Sequence, residues 1–142
     1  MATTVNNTTV NSRITIIFDA DGKLDGNGPA KGTGNTESDV YLDDKIHYNI
    51  RSHTEIDSEI HALQWNASTN TGEIEYVDNR ENLSISSFPQ WASNVVIRCE
   101  AQDSWQTAYD NHSDANAEDN SAAVTAANTA RDNYLSAHSI TY

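Results

Sequence analysis

Three features of the sequence predict an α+β fold, with a small antiparallel β-sheet in the N-terminal two-thirds and helices after it. Between residues 13 and 88 apolar residues recur at period two, in short runs separated by turn-forming residues. From residue 89 onward the apolar spacing changes to three and four, the mark of helices. The change happens once, so strands and helices are segregated along the chain, as in α+β domains.

The elements follow in order. Residues 1–12 are rich in Thr and Asn and show no period, which predicts a flexible N-terminal arm that orders only when a neighbour holds it. Residues 13–88 are then an antiparallel β domain interrupted by a long loop over 20–39. "RITIIFD" (13–19) is β-branched and of strand length. "ADGKLDGNGPAKGTGNTESD" is glycine-rich, contains Pro29 and reads as a turn followed by surface loop. After "VYLDD", the run "KIHYNIR" alternates Ile46, Tyr48 and Ile50 with Lys45, His47, Asn49 and Arg51, predicting the first three on the apolar face. "IHALQW" and "GEIEYV" repeat the alternation: Ile60, Ala62 and Gln64 oppose His61, Leu63 and Trp65, and Ile74 and Tyr76 oppose Glu73, Glu75 and Val77. The polar "NASTNT" before Gly72 suits a hairpin between them. "NLSISSF" supplies one more strand, with Leu83 and Ile85 on its apolar side.

Residues 89–142 form a helical region, either a hairpin or helices that oligomerise. Ser87-Phe88-Pro89-Gln90 matches a capping box and predicts a helix start. Trp91, Val95, Cys99, Gln102, Trp105 and Tyr109 make its stripe. "DNHSDANAEDN" breaks the pattern, and a second helix carries Ala123, Ala127, Ala130, Tyr134 and His138. Its alanines bury little area but allow close backbone approach, against the first helix or around a symmetry axis.

Composition narrows the function classes. Only 37% of the 142 residues are hydrophobic, a modest supply for a self-sufficient core, which favours burial against other chains. A net charge of -13 with a pI near 4.4 repels phosphate backbones and argues against nucleic acid as a partner. No apolar run reaches membrane length, and the N-terminus lacks a signal-peptide pattern, so no membrane partner is expected. The single cysteine, Cys99, falls in the helix stripe and reads as a small buried hydrophobe.

The sequence carries no catalytic, cofactor or metal constellation. "DADGKLDGNG" resembles a calcium loop, but counting from Asp19 puts Lys23, Leu24 and Ala30 where an oxygen ligand, glycine and glutamate belong. Counting from Asp21 fails as well, because Lys23 takes an oxygen-ligand position and Gly32 the final one. His47, His53 and His61 match no zinc spacing. There is no nucleophile elbow and no phosphate loop. Glu73 and Glu75 share a strand face, which is the ordinary solvated side before it is a glycosidase pair. Trp65 and Tyr76 are the one candidate contact pair, for a partner protein or a glycan; the competing reading lays them over the helix that begins near Trp91.

"IHALQWN" with "GEIEYVD", then "NLSISSF" and a helix opened by "WA", resembles small structural or tail-fibre-associated proteins of tailed bacteriophages. "ITIIFDADGKLDGNG" resembles their upstream strand and turn more loosely, and the arm and second helix lie outside the likeness. The segment 29–45 is longer than that pattern, leaving room for a decoration or docking role. The resemblance implies a non-enzymatic virion protein of the tail or tail-fibre region, made in the host cytoplasm. Its partners would be other virion proteins and copies of itself, with no cofactor. Two alternatives stay open: an assembly chaperone for the fibre, and a receptor- or carbohydrate-binding module.

Overall fold

The computed structural model describes residues 2–18, 37–52 and 56–142. The fold is α+β, with antiparallel sheets in the first two-thirds and two packed helices after them. The chain divides into two compact units, Met1–Val96 and Ile97–Tyr142. The calcium-loop candidate at Asp19–Gly28, most of the 20–39 loop and His53 lie outside the described residues.

In the first unit a two-stranded sheet precedes the main one. Strands β1 (Thr3–Val5) and β2 (Thr8–Val10) pair antiparallel through a turn at Asn6-Asn7, where Asn6 adopts φ 53°. This corrects the expectation of an unstructured arm. The hairpin has an apolar side, because Val5 and Val10 are buried, and asparagine tolerates the left-handed turn conformation.

Among the described residues the main sheet has six strands in the order β5-β4-β3-β6-β7-β8, all neighbours antiparallel. These are β3 (Arg13–Phe18), β4 (Glu37–Leu42), β5 (Lys45–Arg51), β6 (Ile60–Asn66), β7 (Thr71–Tyr76) and β8 (Leu83–Ile85). The most apolar strand, β3, is central, and its Ile14, Ile16 and Phe18 are fully buried. Register extends this buried face sideways: Ile14 lies between Leu42 and Trp65, and Ile16 between Val40 and Leu63. Leu63 continues to Ile74, and Ile74 to Leu83. Burying one such aliphatic side chain stabilises the fold by roughly 1.5–3 kcal/mol.

Strand β5 departs from simple alternation. His47 and Ile50 are buried, while Ile46 and Tyr48 are 40% and 58% exposed. The cause is a bulge: the register shifts between Ser38 and Val40, and Asn49 takes φ 54° with its N–H donated to Asp39 Oδ1 at 3.1 Å. One left-handed residue changes which side chains face inward, so His47 replaces Ile46 and Tyr48 on the core side.

Helix α1 (Gln90–Asp110) starts later than the capping box predicts. Pro89 disfavours helical geometry at Phe88, so the first helical bonds run from Ala92 and Ser93 to the Pro89 carbonyl. Its first turns belong to the sheet unit and bury Ala92, Val95 and Val96. There Trp91 packs on Phe18 at 5.8 Å between ring centroids.

The second unit holds the remainder of α1 and helix α2 (Ser121–Ala137). Its core is small: Ala101, Leu135 and Ile140, flanked by Ile97 and Tyr134. Ala123, Ala127 and Cys99 are buried too. Polar tethers supplement this core, with the Trp105 indole N–H donating to Asn128 at 2.8 Å and the Tyr134 hydroxyl to Glu100 at 2.7 Å. At the C-terminus of α2, Ser139 adopts φ 58°, its N–H donates to Ser136 and that of Ile140 to Leu135. This is a Schellman ending, with Ile140 meeting Leu135 in the core cluster.

Candidate functional site

The pair Trp65 and Tyr76 is not brought together as a contact platform. Trp65 shares a rung with Gly72, whereas Tyr76 shares one with Ile60 at the far end of the strand pair. The Trp65 ring is 3% exposed and meets Phe88 edge-on at 5.2 Å. Its indole N–H donates to Thr3 Oγ1 at 3.0 Å, and Thr3 in turn donates to Asn70 Oδ1 at 2.8 Å. Trp65 therefore sews the N-terminal hairpin to the sheet. Tyr76 lies beneath the Arg80 guanidinium, 4.0 Å from its ring centroid. Arg80 bridges Asp57 at 3.1 Å and Asp78 at 2.9 Å. The Glu59 backbone N–H, followed by Arg80, lowers the Asp57 pKa.

The opposite face of the sheet presents a polar groove of about 780 Å³. Register builds its floor. One row runs across four strands as Thr15, Gln64, Glu73 and Ser84, and the next places Arg13, Asn66 and Thr71 side by side. Neighbours within a row are about 5 Å apart and the rows about 7 Å apart. The Thr15 hydroxyl donates to Gln64 Oε1 at 2.9 Å, which turns the Gln64 amide N–H2 outward as a donor. Asn66 Oδ1 accepts from the N–H and hydroxyl of Ser68, leaving its amide N–H2 to donate likewise. Exposed Arg13 and Glu73 add one cation and one anion. The surface thus both donates and accepts hydrogen bonds, with little net charge.

Asp43 fixes the rim of this groove. Its carboxylate accepts from the backbone N–H groups of Asn11, Ser12 and Arg13 at 2.9, 2.7 and 3.0 Å. Those bonds, the Asn11 one foremost, hold its pKa below the usual carboxylate value against the opposing effect of burial.

The sequence exposes the wet positions of each strand but not the strand order, so the juxtaposition of Arg13, Gln64, Glu73 and Ser84 could not be read from it. The histidines sit apart: His47 is buried in β5, contrary to its expected wet position, and His61 is half-buried in β6. Among the described residues no three His, Cys, Asp or Glu side chains converge as a metal-binding group. Cys99 is buried in α1, as expected of a small hydrophobe. No described helix is long and apolar enough to cross a membrane.

The two edges of the sheet are its other notable surface. Among the described residues of the sheet unit, the exposed large apolar side chains are Ile46 and Tyr48 on edge strand β5, Leu83 on edge strand β8, and Val77 just past β7. Comparison with protein-family models, with curated proteins and with solved structures gave no match to this chain.

Proposed function

We propose that the chain is a non-enzymatic structural protein of a tailed-phage particle, in the tail or tail-fibre region, acting through contacts with other virion proteins and with copies of itself. The observation that carries this reading is the placement of Ile46, Tyr48 and Leu83 at the two edges of the main sheet. An edge strand offers backbone N–H and C=O groups on which another chain can pair, and half-exposed apolar side chains beside them add area that such a chain would cover. The low hydrophobic content and the resemblance of residues 59–91 point the same way.

Mass spectrometry of purified particles tests it. The chain should be present at a fixed copy number. Absence from finished particles, with recovery bound to unassembled fibre protein, would favour the assembly-chaperone alternative instead.

The polar groove favours a second reading, a receptor- or carbohydrate-binding module. Hydroxyl-rich ligands need interleaved donors and acceptors, which Gln64, Asn66, Thr71, Glu73 and Arg13 supply. On this reading Gln64→Ala with Glu73→Gln should remove binding to a glycan array without altering thermal stability. Unchanged binding would exclude the groove.

A further inference from the structure

We infer that β8 pairs antiparallel with β8 of a second copy, centred on Ser84, so that the two sheets and their polar grooves become continuous. Three observations carry this. Strand β8 ends the sheet, hydrogen-bonded to β7 alone among the described strands, and its Leu83 is 49% exposed. The segment from Asn82 to Ile97 has no charged residue, in a chain of net charge -13, so a like-charged copy meets least repulsion there. The strand is also self-complementary. With Ser84 opposite Ser84 of the second copy, Leu83 faces Ile85 in both directions, and Asn82 faces Ser86.

The same register joins the grooves. The polar row Thr15, Gln64, Glu73, Ser84 runs directly into the same row of the second copy. The two Glu73 carboxylates are then three strand spacings apart, about 14 Å, beyond the screening length of about 8 Å at physiological salt. Pairing therefore creates a longer uninterrupted polar surface without an acidic clash.

The inference rests on reading the chain as a part that acts by contact with other chains, yet the two can fail separately. Cysteine cross-linking of the full chain tests the pairing. Ser84→Cys places the two introduced residues directly opposite, about 5 Å apart, within disulfide range. Asn82→Cys places them four residues out of step, about 13 Å apart or more, and out of range. Mild oxidation should convert most of Ser84→Cys to a covalent dimer and little of Asn82→Cys. Equal yields from the two, or none from either, would overturn the pairing. Sedimentation equilibrium of the unaltered chain supplies an independent reading: a dimer that Leu83→Lys shifts at least tenfold toward monomer supports the pairing, and a monomer at every concentration contradicts it. Should Leu83→Lys fail to fold, the cross-linking arm still decides. A chain that is monomeric alone but present in particles overturns the pairing and leaves the structural reading standing. A dimer absent from particles overturns only the latter.

Discussion

The sheet unit and the helical unit reach stability by different means. In the first, fully buried Phe18, Ile14, Ile16, Leu63, Val40, Val95 and Val96 form a core of large side chains layered by strand register. In the second, the core is Ala101, Leu135 and Ile140 with partly buried Ile97 and Tyr134, and much of the fixing is polar. Arg98 donates to the Thr141 carbonyl at 3.0 Å, Arg131 lies 3.4 Å from the Tyr142 ring centroid, and the Tyr109 hydroxyl donates to the Ala115 carbonyl. Each such bond adds only about 1 kcal/mol net, whereas a buried leucine is worth several times that on deletion. A chain poor in apolar residues has concentrated them in one unit and tethered the other.

The largest effect expected from this contrast is at Leu63, at the centre of the sheet. Leu63→Ala should cost about 3–5 kcal/mol in urea unfolding, by lost transfer energy plus a cavity. Leu135→Ala should cost about 2–3 kcal/mol. Hydrogen exchange should show the Leu135→Ala loss confined to α2 and the C-terminal half of α1. Equal loss of protection in β3 would break the distinction between the units.

Gly72→Ala is next. A Cβ there would lie 2.5 Å from the Gln64 carbonyl oxygen and 2.8 Å from Cε3 of Trp65, so backbone must move. The expected cost is about 1–3 kcal/mol, measured by thermal unfolding. A neutral result would mean that Trp65 is not held as tightly as its bond to Thr3 implies.

Ser139→Gly should act in the opposite direction. Ser139 holds a left-handed conformation that costs a non-glycine residue about 1 kcal/mol or more, so glycine should stabilise the helical unit by about that amount. No gain would indicate that the Schellman ending is not maintained in solution.

Acidity gives the smallest effect. The folded Asp43 pKa lies below its unfolded value, because backbone N–H groups of Asn11, Ser12 and Arg13 stabilise the carboxylate. Its contribution is therefore full above the unfolded pKa of about 3.9 and is lost as pH falls through the lower folded value. Amide exchange at Asn11, Ser12 and Arg13, corrected for intrinsic rates, should rise as pH drops below about 4 and should be fast at all pH values in Asp43→Ala. Protection independent of pH would remove Asp43 from the rim of the groove.

Much of the fold was legible because period-two and period-three-to-four patterns report the two kinds of element directly. Alternation marks β6, β7 and the strand at Leu83–Ile85, and the polar loop before Gly72 marks the hairpin between the first two. The reading failed where a single backbone conformation overrides alternation, as at Asn49, whose positive φ turns His47 inward. It also failed at Thr3–Val10. There "TTVNNTTV" carries only two apolar residues, and its signal is the Asn-Asn turn rather than hydrophobicity. The groove was not legible because it depends on β3 lying between β4 and β6, a long-range order that no local pattern encodes.

The claim that other chains complete this protein at its sheet edge is tested most directly by amide exchange at Leu83, Ser84 and Ile85, compared between the dilute free chain and assembled particles. Those β8 amides that point away from β7 should exchange fast in the dilute chain and gain strong protection after assembly, with β3 equally protected in both. Identical exchange of β8 in the two states would contradict it.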